Sequence, residues 1–465
     1  MAAGVFSVNT IQHMNNEQLT NRRGFIKKGT LLGATLAVSP TLFGNVQLGG
    51  RPAILGGQGI WENKQWPQWP RWNPETDEKL LLEVMRSGRW VRGTRTNDFE
   101  QRWATAIGTK RALTVVNGTS ALTTAINSFG IGPGDEVIVP PYTFIATVSA
   151  VLFNGAIPVF ADIDPETFQI DPKQIEAKIT SKTKAILPVH ILGLPADMNA
   201  IMQIARAHNL VVVEDACQAH LAEYDGKRVG SIGNAGCFSF QNSKNLPIGE
   251  GGAITSNDEA FIDRCMSYHN FGLPTGQFTP GQDGMLGNKL RFTEYQAAIG
   301  LIMLARLAEE TDIRHTHAAY LSSLLKEIPG ITPCQLYPEV SRGAYHLYPF
   351  RYDPAQFAGL SRDGFLKALR AEGVPCSGGY HPLNTQPFIK ASFDSPLFRK
   401  AYPSDEIQYE RYLERNQCPA NDQLCKEAVW LTQNMLLGPR SDMDEIAAAI
   451  NRIQKNAPKI VKLPA

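Results

Sequence analysis

The chain has 465 residues, 43% of them hydrophobic and 19% charged, with a formal net charge of +1. That balance suits a globular protein able to bury a large core without staples. It gives no long-range field that would draw in nucleic acid or an anionic membrane surface, so neither is expected as a partner.

In chain order, Asn21-Arg22-Arg23-Gly24-Phe25-Ile26-Lys27-Lys28 comes first, followed by a mildly apolar stretch from Gly29 to Val38. Paired Arg, a bulky apolar residue and then Lys resemble a twin-arginine export signal. The expected location is therefore periplasmic or exported, and cytoplasmic if the signal is not used. The apolar stretch is shorter than the roughly 20 residues that cross a bilayer, so no stable membrane span is expected. Residues 1–50 read as signal and linker. Residues 51–75 are rich in Gly, Pro and Trp, with Trp61, Trp66, Trp69 and Trp72 close together. Pro67 and Pro70 forbid a regular helix there, so the segment reads as an arm laid along the body, its rings buried by simple packing.

From residue 111 the pattern alternates. Strands are expected at Ala112–Val116, Glu136–Val139, Ile157–Ala161, Ala185–Val189, Leu210–Glu214, Cys237–Phe240 and Ala253–Thr255. Helices are expected at Ser120–Phe129, Thr143–Phe153, Pro172–Ile179 and Ala196–His208. Short apolar runs without polar alternation indicate strands buried on both faces, as in a mainly parallel sheet covered by helices. Thr293–Leu325 reads as one or two bridging helices. Beyond it, Leu347–Tyr352 reads as a strand, and Ser361–Glu372 and Met443–Ile453 as helices. The chain thus divides into residues 51–310, an arm plus a large α/β domain, and residues 311–465, a smaller C-terminal α/β domain. Of seven cysteines, Cys418 and Cys425 are the one candidate disulfide pair, whereas Cys217 and Cys237 sit in apolar runs where Cys packs as a small hydrophobe.

Ligands of open α/β sheets bind at the carboxyl ends of the strands, and three segments lie there. Asn117-Gly118-Thr119-Ser120 opens a helix, where free amides and hydroxyls can seat a phosphate; alone, it reads as an ordinary N-cap. Glu214-Asp215 ends a buried strand, where a carboxylate needs a partner such as a protonated ring nitrogen; alone, Asp215 could equally cap the next turn. Lys244 follows the strand that ends at Phe240 and precedes the Gly-rich Gly249-Glu250-Gly251-Gly252. Burial of such an ammonium lowers its pKa and favours a nucleophilic amine. An anion seat, a carboxylate and an amine on one sheet are what pyridoxal phosphate requires.

These residues, together with Pro133-Gly134-Asp135-Glu136-Val137-Ile138-Val139-Pro140-Pro141-Tyr142-Thr143-Phe144 and Leu286-Gly287-Asn288, resemble the DegT/DnrJ/EryC1/StrS aminotransferases from about Leu81 to Ile453. The resemblance implies the fold-type I architecture, pyridoxal 5'-phosphate as cofactor and a homodimer. It makes Lys244 the Schiff-base lysine and Asp215 the partner of the pyridine nitrogen. It places Gln218 near the ring oxygen, Phe144 on the ring face, and Gly118, Thr119, Ser120 and Ser239 at the phosphate. It gives Asn288 the role of reaching the phosphate from the neighbouring subunit. Leu221 stands where such proteins often have Gly, which is expected to narrow the space near the site, and Lys289-Leu290-Arg291-Phe292 matches only loosely.

Phe240-Gln241-Asn242-Ser243-Lys244 and Gly378-Gly379-Tyr380-His381-Pro382-Leu383 are similar to the branch that aminates cyclitols and related keto-rings. The function so implied is transfer of an amino group from glutamine or glutamate to a keto-sugar or keto-cyclitol. One alternative is a cofactor-dependent sugar dehydratase, which carries His where this chain has Lys244. The other is a non-catalytic cofactor-binding or sensory protein, for which no helix-turn-helix pattern or basic stripe is present.

Overall fold

The computed structural model describes residues 50–62, 64–279 and 285–463. The twin-arginine-like segment lies outside the described residues. Among those described, no helix is long and apolar enough to cross a membrane.

Seven strands build the large sheet: β1 (Arg111–Val115), β2 (Glu136–Val139), β3 (Ile157–Phe160), β4 (Thr183–Ile186), β5 (Val211–Asp215), β6 (Ala235–Ser239) and β7 (Gly252–Ser256). Their order is β1-β7-β6-β5-β4-β2-β3. β7 is antiparallel to both its neighbours, and every other pair is parallel. The strands feed two cores. Val137 and Val139 of β2 join Leu113, Val151 and Phe261 on one face, while Ile138 joins Phe99, Trp103 and Phe238 on the other. Period-two alternation between two apolar layers explains why the runs read as uniformly hydrophobic.

The predicted strands are all present, shifted by up to three residues. The helix expected from Thr143 starts at Ile145, because Phe144 stays extended as its N-cap. Thr293–Leu325 is one continuous helix, Glu294–Leu325, and the residue 310 boundary falls inside it. Gly300 lies where this helix crosses the helix Thr94–Ile107, and a Cβ there would stand 2.9 Å from the Phe99 ring. The terminal helix is longer than expected, Ser441–Ile460.

The C-terminal part holds a second, antiparallel sheet of β8 (Ile331–Pro333), β9 (Leu347–Tyr352), β10 (Cys376–Gly378) and β11 (Ala428–Thr432), ordered β8-β9-β11-β10. A hairpin, Glu223–Tyr224 with Lys227–Arg228, pairs with Val340–Arg342. Neither that hairpin nor the four short helices between Pro387 and Glu427 was anticipated, since segments of two to nine residues carry too little periodicity.

Two expectations are corrected. Cys418 and Cys425 are free thiols. Cys418 caps the helix Pro419–Glu427 that carries Cys425, and seven residues of helix rise about 10 Å, beyond disulfide reach. Leu221 does not narrow the site. It is 4% exposed in the core beside Phe240 and is absent from the cavity wall. Its φ of 60° lies in the left-handed region, which by itself accounts for Gly in similar sequences.

Candidate active site

Three chain turns meet at the carboxyl ends of β1, β5 and β6. After β1, Asn117 is extended and its Oδ1 accepts from Ser120 N at 2.8 Å, starting the helix Gly118–Ser128. That bond consumes the Ser120 amide. The Gly118 and Thr119 amides have no acceptor among the described residues, as is usual in the first turn of a helix, and such amides can hold an anion. Gly118 must be glycine: a Cβ would lie 2.8 Å from Ser239 Cβ and 2.9 Å from Cys217 Sγ.

β5 ends in two carboxylates with separate duties. Glu214 accepts from His190 Nε2 (3.0 Å) and from the amides of Gly230 (2.7 Å), Ile232 (2.8 Å) and Gly233 (2.6 Å). Four donors make it a structural anchor. Asp215 faces the cavity instead. Its Oδ2 accepts from Thr147 Oγ1 at 2.8 Å, and its Oδ1 from Cys217 N at 3.2 Å. Asp215 is only 5% exposed, so these donors offset the desolvation of a charge.

Lys244 sits in the turn after β6. Its amide donates to Gln241 O at 2.9 Å, and its carbonyl accepts from Trp69 Nε1 at 3.2 Å. Nζ lies 3.4 Å from His346 Nε2. Burial pushes the Lys244 ammonium below its ordinary 10.5, although Cys217 and Asp215 pull partly the other way. Burial likewise holds His346 well below the ordinary imidazole range, with the Lys244 charge adding to the effect. His220, donating or accepting at Ser239 O (2.8 Å), is pushed down to about 3, first by burial and then by Lys244. Burial thus shifts Lys244 toward the free amine that a nucleophile requires.

A cavity of about 510 Å³ joins these groups, and Lys244, Asp215, Gly118, Thr119, Phe144, Gln218 and Ser239 all line it. Phe144, on the same wall, is 56% exposed. Gln218 is pinned, its Oε1 accepting from Leu192 N (2.8 Å) and its Nε2 donating to Tyr380 OH (3.1 Å). Two expected residues are not on the wall. Ser120 is held by the Asn117 cap, and Asn288 is exposed, with its Oδ1 accepting from Lys289 N at 2.7 Å. Sequence reasoning missed His346, which has no motif around it. It also missed Thr147, although Thr147 stands one helical turn from the quoted Thr143.

The donor set fits pyridoxal phosphate: two free amides for a phosphate, an anchored carboxylate for a ring nitrogen, an aromatic face, and a buried amine with a lowered pKa. The DegT/DnrJ/EryC1/StrS aminotransferase family matches residues 73–451. The chain belongs to that family. It is therefore a pyridoxal-phosphate-dependent aminotransferase. This aminotransferase is 37% identical, over 82% of its own length and 93% of the relative's, to a Streptoalloteichus tenebrarius protein provisionally named L-glutamine:3-amino-2,3-dideoxy-scyllo-inosose aminotransferase. It is 34% identical, over 84% and 94%, to a Streptomyces kanamyceticus L-glutamine:2-deoxy-scyllo-inosose aminotransferase. Among solved structures it is similar to 3-amino-5-hydroxybenzoic acid synthase, with a TM-score of 0.74 and 31% identity over 84% and 98% of the two chains.

Proposed function

We propose that this aminotransferase moves the amino group of glutamine to the ketone of a keto-cyclitol or a closely similar keto-sugar. The observation that carries the reading is the convergence of Lys244, Asp215 and the Gly118–Thr119 amides on one cavity. The glutamine donor and the inosose acceptor printed in the names of two relatives support the substrate pair.

Bound pyridoxal phosphate supplies a carbonyl that captures amines and a ring that takes up electron density. The chain's own residues do the rest. The Gly118 and Thr119 amides, with Ser239, would hold the phosphate, and Phe144 would cover the ring. Asp215, fixed by Thr147 and the Cys217 amide, would keep a proton on the ring nitrogen. Lys244 Nζ is the base that removes the donor's α-carbon proton and the acid that delivers one to the acceptor's ring carbon. Burial lowers its pKa, which favours the base role.

Asn288 belongs to this reading as a residue that reaches the phosphate of a neighbouring subunit in a homodimer. Its exposure, away from its own chain's cavity, supports that. Export by the twin-arginine route is part of the proposal and rests on Arg22, Arg23 and the apolar stretch after them. Fractionation of cells carrying Arg22→Lys and Arg23→Lys tests it, and an unchanged distribution sinks it.

The function itself is tested on purified protein. Glutamine should deplete the cofactor's visible band, and a keto-inositol should restore it with formation of an amino-cyclitol seen by mass spectrometry. A band indifferent to both glutamine and glutamate sinks the donor assignment. Transfer confined to other ketones sinks the acceptor assignment.

A further inference from the structure

A second chamber of about 480 Å³ adjoins the Lys244 cavity, and Gln241, Ser243 and His346 line both. The rest of its wall comes from parts far apart in the sequence: Trp69 from the N-terminal arm, Ser377 from β10, and Trp430 and Asn434 from β11 and the turn after it. The arm is fixed there by specific bonds. Trp69 Nε1 donates to the Lys244 carbonyl at 3.2 Å, the Arg314 guanidinium lies 5.0 Å over the Trp69 ring, and Asn434 Nδ2 donates to Pro67 O at 2.7 Å. Trp430 is braced edge-on by Tyr380, with ring centroids 4.7 Å apart. Simple packing, the plain reading of the Trp-rich arm, would surround Trp69 with apolar atoms. It is instead half-buried at the wall of a cavity whose surface is mostly apolar but carries the amides and hydroxyls of Gln241, Asn242, Ser243 and Ser377.

The lining sets what can enter. Among the described residues it includes no Asp, Glu, Lys or Arg. Arg314 behind it is fully buried, its Nε donating to Gln433 Oε1 at 2.7 Å and its Nη2 to Glu310 Oε2 at 3.4 Å, while its Nη1 has no partner among the described residues. Gln241 Nε2, the Asn242 side-chain carboxamide and the Ser377 hydroxyl have no hydrogen-bond partner among the described residues, whereas the Asn242 backbone amide donates to Gly249 O at 2.9 Å. Indole faces suit the C–H face of a saturated ring, and free amides and hydroxyls suit its hydroxyl edge. A diphosphate would need cations that this wall does not supply.

We propose that this chamber is the acceptor subsite, that it takes an uncharged polyhydroxylated six-membered ring with no nucleotide attached, and that Trp69 selects for that ring. The proposal rests on the aminotransferase reading above and narrows it to the free ring.

The test is calorimetric titration of the holoenzyme with myo-inositol, an unreactive ring polyol, and with UDP-glucose. Inositol should bind and UDP-glucose should not compete. Trp69→Ala and Asn242→Ala should each weaken inositol by about tenfold, that is about 1.4 kcal/mol. Trp69→Phe should retain most of the affinity, because an aromatic face remains. The cofactor's visible band should keep its wavelength in all three variants. If Phe and Ala at 69 weaken binding equally and shift the band, Trp69 merely anchors the Lys244 backbone and the proposal falls. It also falls if UDP-glucose binds in preference to inositol, or if inositol binding ignores Asn242→Ala, the variant that reads the chamber even if Trp69→Ala fails to fold. Amine transfer without inositol binding overturns the subsite and leaves the function standing. Inositol binding lost in the variants, without any amine transfer, upholds the ring site and sinks the function.

Discussion

Thr147 Oγ1 donates a hydrogen bond to Asp215 Oδ2 at 2.8 Å. Because Thr147 spends its proton on the carboxylate, Thr143 Oγ1, 2.8 Å behind it, must donate to Thr147. The two hydroxyls form a short relay that holds Oδ2 while the Cys217 amide holds Oδ1, so the carboxylate keeps one orientation at the cavity wall. Thr147→Val keeps the shape and removes the donor. A hydrogen bond to a charged group contributes about 1.5–3 kcal/mol, so kcat should fall about tenfold or more, with the pH response of the cofactor's visible band displaced. An unchanged kcat and band would remove Thr147 from the positioning of Asp215.

Glu294 caps a helix it does not belong to. The helix Thr94–Ile107 starts after Gly93, which has no side chain to offer. Glu294 instead accepts from the amides of Gly93 (2.8 Å), Arg95 (2.9 Å) and Thr96 (2.8 Å). Burial alone would raise its carboxyl, but these donors outweigh it and hold the group below its ordinary 4.5. Its contribution to stability is therefore present above pH 4.5 and lost as the pH falls through the lower folded value. Glu294→Ala should cost about 2 kcal/mol or more in urea unfolding at pH 7, and the difference from the parent should shrink in acid.

His220 sets a second acid dependence of the same sign. Burial brings it from 6.5 to about 3, so between these values the unfolded chain holds a proton that the folded one does not. Stability is full above pH 6.5 and falls toward pH 3, by at most about 1.4 kcal/mol per pH unit for this residue. His220→Gln should flatten the stability profile between pH 4 and 6. A profile as steep as the parent's would assign the acid sensitivity to other groups.

The proposed sharing of the site between two subunits predicts complementation. Lys244→Ala and Asn288→Ala proteins should each be inactive or strongly impaired. Refolded together, their mixed dimers should carry one intact site each, recovering about a quarter of parental activity under random pairing in a twofold dimer. No recovery, with mixed dimers present by mass, would leave Asn288 without its role.

Leu221→Gly separates core from site. Relief of a left-handed conformation returns about 1–2 kcal/mol, whereas loss of a buried Leu costs about 2–5 kcal/mol. The variant should be less stable by thermal unfolding, with the KM for both substrates unchanged. An altered acceptor KM would restore Leu221 to the site.

The seven strands of the large sheet were legible because each is a short apolar run bounded by turn residues, and Glu136–Val139 and Leu347–Tyr352 appear with the expected ends. Local chemistry also marked the helix start at Gly118 and the turn lysine Lys244, which the structure brings to one cavity. It could not say which of Glu214 and Asp215 serves the structure and which faces the cavity, because that depends on whether Gly230 to Gly233 returns to one of them. His346 and Thr147 were likewise invisible, being ordinary residue types until packing buries one and aims the other.

The sequence by itself determined the sheet, the helix start at Gly118 and the turn that carries Lys244, since period, capping and glycine placement act over a few residues. Only the tertiary structure decided the cap that Glu294 supplies across about 200 residues, the neutral imidazole beside Lys244, and the seat of Trp69 on a chamber wall. Those depend on desolvation and on donors brought from distant segments, and neither is a property of any local stretch of chain.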